Sequence, residues 1–386
     1  MDAGTLTRTR ERAPTTPPET RTRSQVSLGS TFAVRAAFIW PALLAILFVS
    51  IFPLVVSLYI SLSRLKLRRG GFDFRFIGLD NFRELYTGGE QAHFLGVARS
   101  PTPLGWVVFG AGVGLLLWGL VRAFGGGTSV LGIIARVLGT LVVAWVLWLA
   151  VRTLLSHGGR PGTAMVTVIY VLVGIAVQFT LGLGLAWLLT QRLPGQRFFR
   201  VVFLLPMMIT PVGVAYMFRM LADTGKGPLQ PLWAAVGLSD FSWVNTPWGA
   251  RIAVMVGDIW QWTPFMFIIL LAALEAQDLD TVEAAMVDGA SRWRIFRHVT
   301  LPAILPVCTT VVLIRLIEAF KIIDLPNILT NGGPGTATES LSLHAYIRWR
   351  TLNLGQSAAI AYSLLFIVTV AALSYVNVVR RRVAEE

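Results

Sequence analysis

Residues 283–302 read EAAMVDGASRWRIFRHVTLP. The stretch lies between two runs apolar enough to cross a bilayer, at about 250–274 and 303–325. It nevertheless carries two acids, three arginines, a histidine and a central glycine. Just ahead of it, Asp280-Thr281-Val282-Glu283 has the spacing of a capping box, with Asp in the capping position. Leu279, Val282 and Met286 then share one helical face. Gly289 breaks that period, and Ser291 offers a second cap. Trp293, Phe296 and Val299 recur at every third position, and Leu301-Pro302 is expected to close the second helix. The reading is helix, glycine turn, helix, with one apolar and one charged face. Such a piece either lies on lipid as an interfacial hairpin or docks against another protein, and these residues alone leave both open.

Its surroundings set the class. The chain has 386 residues, 55% hydrophobic and 14% charged, with a mean hydropathy of +0.67. A soluble domain carries about 25% charged residues. Eight apolar runs, at about 36–62, 104–121, 130–155, 165–190, 200–221, 250–274, 303–325 and 356–379, reach the roughly 18–20 residues that span a bilayer. They are continuous rather than alternating, which points to an all-α polytopic membrane protein and not a β-barrel. The net charge of +13 comes from arginines flanking these runs, where they meet lipid headgroups, so nucleic acid is not expected as a partner. The single cysteine, Cys308, excludes an intrachain disulfide. The first apolar run is too long for a signal-peptide core and lacks a clear cleavage site. Residues 1–31, rich in Arg, Thr and Pro, are expected to be disordered. An even number of spans puts both termini on one side, but basic residues balance between the two sides, so charge does not orient the chain.

Common catalytic signatures do not occur. Gly225-Lys226-Gly227 lacks the spacing of a phosphate-binding loop, and no HExxH, GxSxG or Cys cluster is present. The chain is therefore read as having no energy source of its own and no metal site.

Ionisable residues inside spans are costly and usually face a cavity or a partner helix. Asp258-Ile259-Trp260-Gln261-Trp262-Thr263 lies near the middle of one run. It combines aromatic faces with hydrogen-bonding groups, the two features a sugar needs for its C–H faces and its hydroxyls. In the next run Arg315, Glu318, Lys321 and Asp324 stand three apart, the spacing of an ion-pair ladder along one helix face. A secondary transporter would use Asp258, Arg315, Glu318 and Lys321 as an ion relay, although no internal repeat of spans is visible. A membrane-embedded sugar transferase would want paired acids in a loop. Asp278 and Asp280 are available, but they are better explained as helix-start residues.

The quoted stretch resembles the EAA loop of ATP-binding-cassette (ABC) importer permeases. It supplies Glu283-Ala284-Ala285, Asp288-Gly289-Ala290 and Val299-Thr300-Leu301-Pro302, with valine where the pattern has isoleucine. Three further segments, in order, resemble the MalF-like carbohydrate permeases of this class. They are Phe76-Ile77-Gly78-Leu79-Asp80-Asn81-Phe82, then Phe199-Arg200 through Leu205-Pro206 and Pro211, then Asn331-Gly332-Gly333-Pro334 with Thr338-Glu339-Ser340-Leu341. Together they cover about residues 36–90 and 165–379.

The resemblance implies a MetI-like core of six membrane helices. Residues 32–103 would hold the first core span and an extracellular loop, and 165–379 the rest of the core. Residues 104–155 would be an inserted two-helix hairpin, whose simplest role is lipid-facing packing or a lateral subunit contact. Residues 275–302 would be the cytoplasmic loop that seats in an ATPase subunit, through Glu283, Ala284, Ala285, Asp288, Gly289, Leu301 and Pro302. Both termini, including the tails 1–31 and 380–386, would then be cytoplasmic. The substrate pathway would involve Asp258, Gln261, Trp262 and Phe265, joined by Arg315 and Glu318. In the maltose-type permease, further sugar contacts align to Arg315, Ala319 and Ile322. Two of these are apolar here, so the same sugar is not expected to be held in the same way. The implied partners are a MalG-like permease, an ABC ATPase dimer, an extracellular solute-binding protein, a carbohydrate and the lipid of a bacterial cell membrane. This chain would bind no cofactor, with ATP and Mg held by the ATPase, and would not be an enzyme.

Overall fold

A computed structural model describes residues 39–68, 71–124, 130–191, 194–238 and 242–384. The expected disordered tail 1–31 and the last two residues of the tail 380–386 lie outside the described residues. The chain forms two compact units, one up to Val56 and one from Ser57 onward. The first unit holds most of helix α1 (Ile39–Ser61). That helix loosens into a π-turn at Leu47–Ile51 and stacks Phe48 on Phe52 at 5.9 Å.

The second unit begins with a ribbon. Strands β1 (Ser63–Arg68) and β2 (Gly71–Phe76) pair antiparallel, with Ser63 opposite Phe76. Phe72-Asp73-Phe74-Arg75-Phe76 has the two-residue period of a strand. Gly78, at φ 60°, turns the chain into α2 (Asp80–Tyr86). There Asn81 donates to the carbonyls of Ser61 and Ser63 at 2.7 and 3.0 Å. Next come α3 (Gln91–Phe94) and the short strand β3 (Gly96–Val97).

Of the two further spans expected here, α4 (Pro103–Phe124) is long and apolar enough to cross a membrane, while α5 (Val130–Leu154), which packs against it, has only the shorter apolar stretch Gly139–Leu154 among the described residues. The Leu155 carbonyl accepts from the Thr102 amide and hydroxyl at 2.8 and 2.9 Å, closing the base of the pair. Trp106, Phe109 and Trp148 pack along its seam. Strand β4 (Arg160–Pro161) pairs with β3 and leads into α6 (Thr163–Thr190).

The run expected as one span at 200–221 is two helices, α7 (Gln196–Met208) and α8 (Pro211–Leu221), bent by 96°. The cause is local. Thr210 precedes a proline and is pushed to extended backbone. It then caps α8 by accepting from the Gly213 amide, with Pro211 in the first turn. After α9 (Gln230–Ala235), the long helix α10 (Pro247–Glu275) packs along α6. Their core joins Val171, Met266, Phe267, Leu270 and Leu271 to Ile304, Cys308 and Val311 from the next span.

The quoted stretch gives α11 (Leu279–Val287) and the start of α12 (Arg292–Ala319). Leu301-Pro302 does not end a helix. A π-turn over Phe296–Thr300 carries the helix through Pro302, with the Leu301 amide bonded to the Phe296 carbonyl. The wider turn relieves the clash that proline makes with an ordinary helical turn. The span expected at 303–325 stops at Ala319. Side chains from further along the chain receive its end: Ser342 donates to the Phe320 carbonyl and Ser340 to that of Ile322. The chain then forms α13 (Asp324–Thr330), α14 (Leu341–Arg350) and α15 (Leu354–Ala384). Lys321 and Asp324 therefore lie beyond the helix that carries Arg315, and the four-residue ladder does not exist.

Candidate functional site

The hairpin at 279–295 is a capped helix, a glycine turn and a second capped helix, with an uncovered apolar face. Its cap is Asp278, not Asp280, which sits in the first turn with its amide donated to the Asp278 carboxylate at 3.1 Å. At the far end Gly289 takes φ 74°, the left-handed region that glycine enters freely. The Gly289 amide bonds to Met286 and the Ala290 amide to Ala285, each at 3.0 Å, which is a Schellman closure. Ser291 then caps α12 by accepting from the Arg294 amide at 3.4 Å. Leu279, Met286, Val287 and Trp293 are exposed by 55–87%. Glu283, Ala284, Asp288 and Gly289 are exposed as well, as is Pro302, while Ala285 and Leu301 are half-buried. Among the described residues Glu283 has no ion-pair partner.

Above the hairpin, three spans meet at a charged centre. The Arg315 Nη2 donates to the Asp258 Oδ2 at 2.6 Å, and its Nε donates to the Gln178 Oε1 at 2.9 Å. The Gln178 Nε2 closes the ring on the Asp258 Oδ2 at 2.8 Å. All three residues are buried. The guanidinium also lies 4.6 Å over the Trp262 ring, which meets Phe265 edge-on. A charge in a membrane interior is retained when it is paired and hydrogen-bonded, and this arrangement meets both conditions. Gln261 is turned elsewhere: its Nε2 donates to the Ile209 carbonyl at 3.4 Å, at the break between α7 and α8. Glu318 is exposed and pairs with Lys321 at 2.7 Å. Asp258, Arg315, Trp262 and Phe265 are thus brought together, Gln261 braces the bend, and Glu318 stands apart. Gln178 was missed by sequence reading, since a lone glutamine in an apolar run gives no signal of its partners.

The loop Asn331–Ser340 closes the opposite end of the core. The Arg251 Nε donates to the Ala337 carbonyl at 2.7 Å, and the Tyr170 hydroxyl to that of Thr338 at 3.2 Å. The Thr167 hydroxyl accepts the Leu341 amide at 2.8 Å. Ser340 caps α14 through the Leu343 amide while its own hydroxyl reaches the Ile322 carbonyl. Ser340→Ala removes a cap and takes the hydroxyl from the half-buried Ile322 carbonyl, an expected loss of about 1–2 kcal/mol. Thermal unfolding in detergent checks it, with Ser340→Thr expected to keep most of the stability. Arg200 of the Phe199-Arg200 motif pairs with Glu275, tying α7 to the end of α10 beside the hairpin.

Residues 178–384 match the family described as the binding-protein-dependent transport system inner membrane component. The chain is 33% identical over 220 residues to the trehalose/maltose transport system permease protein MalF of Thermococcus litoralis, covering 57% of this chain and 75% of that one. It is 31% identical over 216 residues to the trehalose transport system permease protein SugA of Mycobacterium tuberculosis, covering 55% and 67%. A solved bacterial ABC transporter that imports the acidic polysaccharide alginate shares the fold over 91% of this chain and 96% of its own, with a TM-score of 0.63 at 16% identity.

Proposed function

Since the chain belongs to the family of binding-protein-dependent transport system inner membrane components, we propose that it is the MalF-like permease subunit of an ABC importer for a carbohydrate. It is a multi-span membrane permease and not an enzyme. The sugar assignment is supported by its similarity to trehalose and maltose permeases. In this reading a MalG-like permease completes the pathway, an ATPase dimer supplies ATP and Mg, and an extracellular binding protein delivers the substrate. Residues 275–302 and both termini face the cytoplasm.

The observation that carries the proposal is the hairpin's exposed apolar face, held on a left-handed glycine between two spans. An ATPase cleft would cover Leu279, Met286, Val287 and Trp293 and leave Glu283 to a charged contact. Because α12 continues through its π-turn, the hairpin and Arg315 share one helix. At 1.5 Å per residue the 23 steps from Arg292 to Arg315 span about 35 Å. Movement of the hairpin on ATP-driven closure is thereby delivered to the Arg315–Asp258 pair and the bend that Gln261 braces. The substrate pathway runs beside Asp258, Trp262, Phe265 and Arg315.

Gly289→Arg tests the docking. No neighbour obstructs a Cβ there, but the left-handed backbone strains any L side chain by about 1–2 kcal/mol. The variant is expected to insert and fold yet lose the ATPase in a pull-down from mild detergent, while the wild type retains it. An ATPase retained equally by both would remove the hairpin from the docking surface.

A further inference from the structure

The chain has four histidines, and two of them meet at the end of the core that carries the β1–β2 ribbon. His93, on α3, stacks on His344, on α14, with ring centroids 4.0 Å apart. Glu90, one turn before His93, brings a carboxylate oxygen to the same place. One ligand atom from each of Glu90, His93 and His344 lies within 4.8 Å of the other two. We propose that Glu90, His93 and His344 form a binding site for a divalent transition-metal cation, zinc above all.

The second nitrogen of each ring supports this. The His93 Nε2 lies 2.7 Å from the Glu339 Oε2. Donation there leaves the His93 Nδ1, 3.7 Å from the Glu90 Oε2, with its lone pair free. The Arg348 Nε donates to the His344 Nε2 at 3.4 Å, so Nε2 carries the lone pair and the Nδ1–H faces the Thr163 hydroxyl at 3.2 Å. A histidine whose far nitrogen donates to a carboxylate or hydroxyl is the usual form of a zinc ligand. Two imidazoles and one carboxylate make a zinc donor set with a fourth position left for water. The site is anchored: His344 is 0% exposed, and Glu339, which holds the His93 ring, is 5% exposed.

A positive charge already lies in this place. Arg348 pairs with Glu90 through Nη2, and its Nε approaches the His344 Nε2 at 3.4 Å. The guanidinium is the cation of the metal-free arrangement, and metal binding requires it to swing out. The rings, now inclined by 26°, must splay so that both lone pairs converge. A bound ion would join α3, the start of α6 through Thr163, the Glu339 loop and α14. The site stands on its own residues and does not depend on the sugar assignment.

The test is a titration of the purified full-length protein in detergent with cobalt(II) chloride, read by its visible d–d band, followed by displacement with zinc chloride. One saturable equivalent is expected in the wild type. His344→Ala and Glu90→Gln should lose it, the latter an exchange near the surface that keeps the fold. Glu339→Gln should weaken binding about 10- to 100-fold. Arg348→Ala should tighten it about tenfold by removing the competing cation. Size-exclusion profiles confirm that each variant is folded. A wild type without saturable binding overturns the proposal, even if Arg348→Ala binds, because Arg348 is then the permanent counter-charge. Binding indifferent to both His344→Ala and Glu90→Gln overturns it as well.

Discussion

Arg315→Met is expected to destabilise the protein by about 3–5 kcal/mol and to abolish transport. Methionine keeps an unbranched apolar stem that ends level with the Arg315 Nε. The substitution removes the donors that reach Asp258 and Gln178 at 2.6 and 2.9 Å. Asp258 is then a carboxylate 6% exposed, held among the described residues by the Gln178 amide alone. The Trp262 ring also loses the cation above it. Pairing Arg315→Met with Asp258→Asn removes both charges, and the double variant is expected to recover much of the stability but not transport. Melting in detergent for the two single variants and the double gives the coupling directly. If the double variant loses as much as the two singles combined, the pair contributes no coupling and the three-span centre is only packing. Transport recovered along with stability would show that the pair holds the fold and does not serve the pathway.

That centre also marks where sequence reading stops. Asp258 and Arg315 were legible as costly charges, because the price of an ion in a membrane holds whatever the fold. Their partnership was not, because Arg315 has Glu318 at helical spacing and a local pair is the simpler choice. Local spacing assumes the helix continues. Here α12 ends at Ala319, leaving Glu318 to an exposed pair with Lys321. The hairpin was legible for the opposite reason: caps, a glycine turn and a three-residue period are all local, so Gly289 and Ser291 fell where expected. The errors there were of local degree. Asp278 outcompeted Asp280 as the cap, and a π-turn carried the helix past Pro302. The bend at Ile209-Thr210 was hidden because hydropathy averages across it, although Thr210-Pro211 is a start signal for a new helix. Glu90 and His93 lie one turn apart, but His344 comes from α14, and only the folded chain brings it to them.

Two glycines on α6, one residue apart from being neighbours, are expected to answer oppositely to added bulk. A Cβ on Gly182 would lie 2.6 Å from the Met266 Cβ and 3.0 Å from the Phe267 amide nitrogen, so α6 and α10 touch there only because no side chain intervenes. Gly182→Leu must push the helices apart, and overpacking of this size costs about 3 kcal/mol or more. The damage reaches the charged centre, because Gln178 lies one turn away on the same face of α6. Separation of the helices draws its amide from Asp258, so transport should fall further than stability alone accounts for. Gly184 meets nothing within 4 Å, and Gly184→Ala should be neutral or stabilise by up to about 1 kcal/mol through helix propensity. Melting temperature and transport, measured on both variants side by side, separate a general effect of altering α6 from a specific contact. Equal melting of the two would mean that α6 and α10 are not packed at Gly182. A low-melting Gly182→Leu beside an undisturbed Gly184→Ala would place the pair's closest approach one turn from Gln178, where the charged centre depends on it.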